Sequence, residues 1–577
     1  MDTTPEAAVI ATPWLARARV ALAIVSLAVV AALTYIRLYF GVDFTDESFY
    51  TAVPYRFVLG ARPLIDETNI VQQTPGVLLF PFVKLWESVV GLDGMILYAR
   101  HLHFLFSAAV AFALFVSLRR ILGDRSLSAV LAAAAVAFVP FGIHGLSYNT
   151  FSTGFFAAGC FLGAAWLSDG SRRSLAAAGA AQGLAVFTYP PFALPVGCFF
   201  VALYLNSRPR SLRSIAPAFL PAAMGMLVTV VFFVHDGTGT IRDLVQRTSE
   251  FGDQGGGVGE LAAILSFVST SFTYKYAAAA LLLAALALRA WKAWTAVLPL
   301  LVLPFAALPA ELGASTSSNE FVTNAALLAP VLFLFRRDSV AGRRLLAVVW
   351  LPAAAAGVTT ALSSANGGIN VAIGFFPALI VTGALLALAI QGAVRDGGSP
   401  IDLAPAVALV AIGVALQYLS VYRDAGIQHL TSRVSNGAYA GIYTTPEKRN
   451  FLIALERDLA AVSAPSCRIV FYDAFPAGYL LGHGRPATNA TLLLGVKDDQ
   501  VARYEDLLLA YYEKQGWLPD VVVRLDEIPL AGTAGALQTY ATTEPLERTF
   551  GGAGYVKAHS GHGYSIRRRL DQTCREP

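Results

Sequence analysis

The stretch VALAIVSLAVVAALTYIRLYFGVDFTDESFYTAV, residues 20–53, joins a long apolar run to a cluster of acids. The apolar run covers residues 20–38, close to the ~20 residues that an α-helix needs to cross a bilayer. Asp43, Asp46 and Glu47 follow within five positions. The stretch therefore predicts a membrane-spanning helix followed directly by an acidic segment at the membrane surface.

The composition of the whole chain agrees with a protein that crosses the membrane many times. The chain has 577 residues, of which 56% are hydrophobic and 14% are charged, and its mean hydropathy is +0.59. A soluble globular protein averages about 25% charged residues. The net charge of +4 is small, and the basic residues lie in short clusters between apolar runs, which argues against a nucleic-acid partner. The first run has no obvious cleavage site, so we expect a retained helix and not a removed signal peptide.

Thirteen apolar runs are candidates for membrane-spanning helices. They lie at residues 20–38, 97–118, 127–143, 150–167, 174–188, 191–205, 214–234, 272–288, 295–310, 321–335, 345–362, 369–390 and 402–421. Lys and Arg cluster in alternate loops, and cytoplasmic loops carry the positive charge of membrane proteins. This alternation predicts a cytoplasmic N-terminus and an extracytoplasmic first loop at 40–95. Because thirteen is odd, the tail at 422–577 should also be extracytoplasmic, in a multi-pass protein of the cell's inner (plasma) membrane.

The tail at 422–577 is more polar than the membrane domain of 1–421 and predicts a small extracytoplasmic α/β domain. RIVFY at 468–472 and DVVVRL at 520–525 have the pattern of strands, and residues 499–516 have the pattern of an amphipathic helix. The later segment YVKAHSGHGYSIRRR predicts a hairpin with a glycine-containing turn. We therefore expect a mostly α protein with an α/β domain at its C-terminal end.

Two of the four cysteines, Cys467 and Cys574, bracket most of this tail. If the tail is extracytoplasmic, we expect a disulfide between them, because disulfides persist in oxidising compartments. Two free thiols are the alternative. Cys160 and Cys198 lie in apolar runs, which indicates a packing role.

Asp46 and Glu47 have a structural and a chemical interpretation. Carboxylates near a helix end are commonly solvated, or they cap the next helix. A carboxylate at a lipid interface can also take a proton from an acceptor hydroxyl or amine as it attacks a lipid-carried electrophile. Three features of the loop favour the chemical interpretation. The loop is long, and it carries a second acidic pair, Asp66 and Glu67. It also contains the apolar stretch 74–86, which is typical of a segment lying at a membrane surface.

The segment TDESFYTAVPYRFVLGARPL, residues 45–64, resembles the first outer loop of GT-C glycosyltransferases of the protein O-mannosyltransferase and lipid A aminoarabinose transferase type. Those loops carry an Asp-Glu pair after the first helix, a Tyr three residues past the Glu, and a Gly some ten residues later. These places are taken here by Asp46, Glu47, Tyr50 and Gly60. Thirteen spans and an outer C-terminal domain match the layout of the aminoarabinose transferases.

Two later segments extend the resemblance. LYARHLHFLFSAAVAFAL, residues 97–114, is similar to the start of the family's second helix, and Arg100 matches the Arg that heads it. GLAVFTYPPFALP, residues 183–195, is similar to a segment that usually reads Leu-Thr-Lys-Gly. The chain departs from the family at two lysines, since Gln73 stands near the first-loop proline and Tyr189 stands in the later segment.

The resemblance implies transfer of a sugar from a polyprenyl-phosphate donor, with inversion at the anomeric carbon. The acceptor would be an extracytoplasmic glycan, lipid or protein at the cell envelope. Asp46 would act as the general base, and Glu47 and Asp66 would position the acceptor or the base. No cofactor is required for this chemistry, although these three carboxylates could hold a divalent metal.

Donor and acceptor contacts are predicted for polar side chains near the outer face, including cations that would replace the two missing lysines. These residues are Asp43, Tyr50, Arg62, Asp66, Glu67, Gln73, Lys84, Arg100, His103 and Tyr189. Each cation has a simpler interpretation as a snorkelling or solvated side chain. Arg100 is the strongest candidate, because it heads a span on the outer side, against the positive-inside bias.

Two other classes of protein remain open. A polytopic lipid or sugar transporter, or a flippase, usually carries ionisable residues in mid-membrane and repeated halves, and the sequence shows neither. A non-enzymatic envelope assembly protein would not need the acidic first loop. The charges cluster at one face of the membrane, which favours chemistry on a lipid-borne substrate.

Overall fold

The structure is a computed structural model whose described residues cover most of the chain. They are residues 13–67, 69–234, 314, 316–334, 338–364, 367–393, 400–471, 475–482, 484–492, 498–525, 544–561, 563–570 and 574. The described part of the chain is mostly helical and ends in a region with β-sheets. Two predicted spans, 272–288 and 295–310, lie outside the described residues.

Sixteen α-helices precede the C-terminal region in the described ranges. In chain order they are α1 (Pro13–Arg37), α2 (Asp46–Val58), α3 (Gln73–Val90), α4 (Met95–Leu122), α5 (Arg125–Ala132), α6 (Ala134–Ala137), α7 (Tyr148–Asp169), α8 (Arg172–Thr188), α9 (Ala193–Asn206), α10 (Leu212–Phe233), α11 (Ser317–Leu327), α12 (Ala329–Leu334), α13 (Val340–Leu345), α14 (Leu351–Leu362), α15 (Val371–Ala393) and α16 (Ala404–Leu419). Helices occupy the eleven predicted apolar runs that fall within the described residues.

Several of these helices have the length and apolar composition of a membrane span. Six such helices occur among the described residues: Trp14–Arg37, Met95–Leu122, Tyr148–Asp169, Leu212–Phe233, Val340–Leu362 and Gly367–Gln391. Three shorter apolar helices are Arg125–Ala137, Pro190–Asn206 and Ala404–Leu419. The helices support a protein that spans a membrane, while the count of thirteen spans stays a prediction.

Glycines let the membrane helices pack closely. A Cβ built on Gly179 of α8 would lie 1.9 Å from the carbonyl oxygen of Ala218 in α10. A Cβ on Gly225 of α10 would lie 2.5 Å from the Cα of Gly183 in α8. Small residues at these positions bring two helix backbones together, as is common where helices associate in a membrane.

The predicted first outer loop forms two helices, α2 and α3. α2 is almost wholly buried, although it carries Asp46, Glu47 and Arg56, because it packs against α3, α4 and the C-terminal region. α3 keeps an apolar face exposed, with Phe82, Leu85 and Val89 48%, 60% and 75% exposed. This face agrees with the predicted position of residues 74–86 at the membrane surface.

The C-terminal region is an α/β domain built on a mixed five-stranded sheet. Its helices are α17 (Pro446–Val462), α18 (Asp498–Gln515) and α19 (Glu544–Gly552). Its strands are β1 (Ser432–Arg433), β2 (Tyr443–Thr444), β3 (Arg468–Phe471), β4 (Arg485–Pro486), β5 (Val521–Leu525), β6 (Tyr555–Gly561) and β7 (Tyr564–Arg569). The sheet order is β4-β3-β5-β7-β6, in which β3 runs parallel to β4 and β5, and β7 runs antiparallel to β5 and β6. β1 and β2 form a separate antiparallel pair.

The C-terminal domain shares a hydrophobic core with the first outer loop. The ring of Phe44 lies 6.1 Å from Tyr439, 5.7 Å from Phe451 and 5.4 Å from Phe475, between ring centroids. Cys467 and Cys574 form a disulfide across the domain, with their Cα atoms 4.8 Å apart. The domain therefore packs directly on the segment that carries the acids.

Candidate functional site

Asp43 is the residue that caps α2. Its carboxylate accepts hydrogen bonds from the backbone N–H of Thr45 at 3.0 Å and of Glu47 at 2.8 Å, and from the Thr45 hydroxyl at 2.8 Å. These bonds satisfy amide groups that a helix leaves unpaired in its first turn. The sequence allows Asp46 or Glu47 to act as a helix cap, but it is Asp43 that caps α2.

Glu47 forms a buried ion pair with Arg100 of α4. The Arg100 guanidinium contacts both carboxylate oxygens, at 2.6 and 2.7 Å. It also donates to the carbonyl oxygens of Leu38, Phe40 and Gly41, at 2.5, 3.2 and 2.6 Å. All five N–H donors of the guanidinium are thus engaged. The pair fixes the turn between α1 and α2.

Asp46 has the most exposed side chain of the three acids, at 27%, whereas Asp43 and Glu47 are buried. The Tyr422 hydroxyl donates to its Oδ2 at 2.6 Å, and an Arg423 nitrogen lies 3.5 Å from the same oxygen. Burial raises the pKa of the Asp46 carboxyl above its usual range, and Arg423 and Tyr422 offset only part of this rise. A carboxylate of raised pKa and partial exposure suits a general base.

Two tyrosines, Tyr50 and Tyr148, lie near Asp46, and a third, Tyr189, packs against Tyr148. Tyr50 and Tyr148 lie close enough to Asp46 to interact with it electrostatically. The rings of Tyr148 and Tyr189 are 5.1 Å apart, and the Tyr189 hydroxyl lies 2.6 Å from Ser363 Oγ. Gly145 permits this packing, because a Cβ there would lie 2.9 Å from the Tyr50 ring. The tyrosines offer apolar ring faces together with hydroxyl groups.

Two pockets, both partly open to solvent, lie nearby. A polar pocket has walls that include Arg37, Asp43, Glu47, His144 and Tyr422. A mainly apolar pocket lies between α4, α7, α11 and α15 and is lined by His103 among others. The imidazole rings of His103 and His144 are 5.8 Å apart, so the two histidines stand between the two spaces.

The second acidic pair has a different environment. Glu67 is buried and pairs with Arg56 at 2.7 Å, while it accepts from the backbone N–H of Thr491 at 2.9 Å. Asp66 pairs with Arg62 at 2.9 Å on the surface. Both ion pairs lie at the C-terminal end of α2 or beyond it, whereas Asp46 begins this helix, whose 13 residues span about 20 Å. The Arg56–Glu67 pair joins the first loop to the C-terminal domain, away from Asp46.

Gln73 and Lys84 also lie apart from Asp46. The Gln73 side chain donates to the carbonyl oxygens of Glu67 and Asn69, at 2.8 and 3.1 Å, and accepts from the backbone N–H of Leu64 at 3.1 Å. Gln73 thus folds the loop onto itself at the place where the GT-C family often has a lysine. Lys84 lies on the exposed side of α3, 5.6 Å from the Phe80 ring.

Sequence reasoning missed two residues that contact Asp46, Tyr422 and Arg423. They follow the last apolar run directly, after the C-terminal end of α16, in the segment SVYRDAG. An aromatic residue, a cation and an acid in succession directly after an apolar run were a usable signal. Tyr148, at the start of α7, was missed as well.

No three His, Cys, Asp or Glu side chains within the described ranges are grouped so as to hold a metal ion. Neither the models of known protein families nor the curated proteins include a match to this chain.

Proposed function

We propose that the protein is a membrane glycosyltransferase of GT-C type that moves a sugar from a polyprenyl-phosphate donor to an extracytoplasmic glycan, lipid or protein. In this proposal the chain crosses the inner membrane thirteen times, with a cytoplasmic N-terminus. Asp46 and the C-terminal domain then face the extracytoplasmic side. The proposal rests on the resemblance of residues 45–64 and on the state of one side chain.

That side chain is Asp46, a partly exposed carboxylate of raised pKa that accepts a hydrogen bond from Tyr422, a residue of the polar pocket's wall. In the proposed step, the oxygen or nitrogen of the acceptor forms a bond to the anomeric carbon of the sugar. The bond from that carbon to the phosphate oxygen breaks, and its electron pair stays on the phosphate. Asp46 receives the proton of the acceptor. Because the phosphate leaves as an anion, one carboxylate base suffices, where a glycosidase needs two.

Glu47 and Arg100 act as positioning residues in this proposal. Their ion pair consumes the hydrogen-bonding capacity of Arg100, which leaves the guanidinium no donor for a phosphate. The pair instead fixes where α2 begins relative to α1 and α4. Asp46 is thereby held at the outer end of the helical bundle.

The test is the substitution Asp46→Asn, which preserves shape and removes the base. Sugar transfer is measured for the full-length protein in membranes, from a panel of polyprenyl-phosphate sugars to an envelope extract. We expect Asp46→Asn to lower the transfer rate by about 10²-fold or more. Asp66→Asn is the matched control and should transfer at nearly the wild-type rate, because Asp66 lies in a surface ion pair beyond the far end of α2.

Equal transfer by wild-type protein and Asp46→Asn would overturn the assignment of Asp46 as base. A correctly folded wild-type protein that transfers sugar from no donor in the panel would overturn the proposed function. The lipid or sugar transporter would then be the better interpretation, followed by the envelope assembly protein.

A further inference from the structure

The segment after the last apolar helix returns to the first acidic segment. α16 ends at Leu419, and Tyr422 and Arg423 lie against the first turn of α2. Arg423 has a φ of 49°, a left-handed conformation that is uncommon outside glycine. This conformation turns the chain so that two successive side chains, Tyr422 and Arg423, both reach Asp46.

Buried polar contacts fix the backbone at this turn. The Asp424 carboxylate accepts from the backbone N–H of Val42 and from the Thr444 hydroxyl, both at 2.7 Å. The Lys448 ammonium donates to the carbonyl oxygen of Val42 at 2.9 Å and also to that of Arg423, and lies 3.3 Å from Asp424. Asp424 and Lys448 are both buried. The turn is therefore rigid where it carries Arg423, as a binding site requires.

The Arg423 side chain is the accessible cation of the site. It is 46% exposed, lies 5.1 Å from the Tyr422 ring and donates to the Thr45 hydroxyl. Its contact with Asp46 is long, at 3.5 Å, so it retains N–H donors for another partner. Among the described residues, it is the one Lys, Arg or His within 4 Å of Asp46.

We propose that Arg423 binds the phosphate of the lipid-linked donor and stabilises it as it leaves. This inference rests on the proposed function, and it supplies the cation that the family lysines would otherwise provide at the positions of Gln73 and Tyr189. A polyprenyl-phosphate sugar carries one negative charge on its phosphodiester, and the departing monoester carries close to two. A guanidinium beside the phosphate therefore binds the transition state more tightly than the ground state.

The position of Arg423 also couples donor binding to the base. A guanidinium that turns towards the phosphate relaxes its contact with Asp46, and the acceptor proton then passes to a carboxylate that has lost part of its counter-charge. The base becomes stronger when the donor is present. Tyr422 keeps its hydrogen bond to Asp46 and holds the carboxylate in place meanwhile.

The first experiment measures binding without transfer. Purified full-length protein in detergent micelles is titrated with farnesyl phosphate, and wild type is compared with Arg423→Gln, Arg423→Lys and the control Arg457→Gln. Arg457 is an exposed cation paired with Asp458 on α17 of the C-terminal domain. We expect Arg423→Gln to weaken binding by about 10-fold or more, Arg423→Lys to weaken it less, and Arg457→Gln to leave it unchanged.

The second readout is sugar transfer by the same proteins. Arg423→Gln should lower kcat as well as weaken binding, because the phosphate gains charge as it leaves. Farnesyl phosphate binding that is absent in wild type, or unchanged in Arg423→Gln, overturns the inference about Arg423. Binding that depends on Arg423 in a protein that transfers no sugar supports the phosphate site and overturns the proposed glycosyltransferase.

Discussion

At the scale of single residues, three neighbouring acids have three different roles because of what surrounds them. Asp43 accepts backbone N–H groups and caps a helix. Glu47 faces a buried guanidinium and holds two helices together. Asp46 is left partly exposed beside a tyrosine hydroxyl and a half-exposed arginine. The environment of each side chain, and not its type, decides which acid is available for chemistry.

The pKa of Asp46 predicts how activity should depend on pH. Burial raises this pKa, and Arg423 opposes the rise. The other groups that face Asp46 are Asp43, Tyr50, Tyr148 and Tyr422. In the proposed mechanism Asp46 is the general base and works only when ionised, so kcat/KM should fall as pH drops through a value above the ~4 of an ordinary Asp.

Arg423→Gln should move this fall in kcat/KM to a higher pH, because the charge that favours the ionised carboxylate is removed. Arg457→Gln should not move it, because Arg457 pairs with Asp458 in the C-terminal domain. The measurement is kcat/KM from pH 4 to pH 9 for the three proteins, with transfer assayed at subsaturating donor. A fall near pH 4 in wild type, or a shift to lower pH in Arg423→Gln, would contradict the role of these two residues.

At the scale of elements, the connection between α1, α2 and α4 depends on one ion pair. Arg100 and Glu47 are both nearly fully buried, and the three carbonyl oxygens on Arg100 belong to the turn that leaves α1. Removing one partner of a buried pair leaves the other charge without compensation. α2, which carries Asp46, would then lose its fixed position.

Glu47→Gln should therefore destabilise the protein by about 3–5 kcal/mol. The matched substitution Asp66→Asn breaks an ion pair whose Arg62 side chain is 66% exposed, and it should cost about 1 kcal/mol or less. Thermal unfolding in detergent, followed by loss of soluble protein, ranks the two variants against wild type. Equal midpoints for the two variants would show that the Glu47–Arg100 pair does not hold the turn.

At the scale of the whole molecule, the C-terminal domain and the first outer loop form one packed unit. Their shared hydrophobic core is joined by the buried pair of Arg56 and Glu67, which contacts Thr491. A disulfide between Cys467 and Cys574 closes a loop of 107 residues within the domain. Loss of stability in the C-terminal domain should therefore also destabilise the first loop, on which the domain packs.

Cys467→Ser should lower the stability of the domain by about 2–5 kcal/mol, because the unfolded chain loses a constraint on a long loop. The control is Cys198→Ser, which alters a half-buried free cysteine in a membrane helix. Limited proteolysis of the purified proteins should cleave the C-terminal domain faster in Cys467→Ser and in reduced wild type than in the control. Equal cleavage rates for all of them would mean that the disulfide adds no stability.

The sequence predicts much of the fold because hydropathy and alternation are local properties. The membrane helices fall on the apolar runs, and β3, β5 and the β6–β7 hairpin fall where the strand patterns lie. The site was only half predictable. Asp46, Glu47 and Tyr50 lie within one short stretch of sequence. Tyr422, in contrast, is 376 residues from the Asp46 carboxylate that it contacts. The sequence predicts that Arg100 contacts the donor phosphate. It could not show that two carboxylate oxygens and three carbonyl oxygens already accept hydrogen bonds from the Arg100 guanidinium.

The distance along the chain between Asp46 and its partners has a consequence for biogenesis. A ribosome releases Asp46 hundreds of residues before Tyr422 and Arg423 emerge, so a nascent chain displays the acid without the groups that surround it. Membrane insertion must finish with α16 before the two ends of the chain can meet. Under the proposed function, an unfinished or truncated protein is then inert towards lipid-linked sugars, and completion of synthesis itself completes the site.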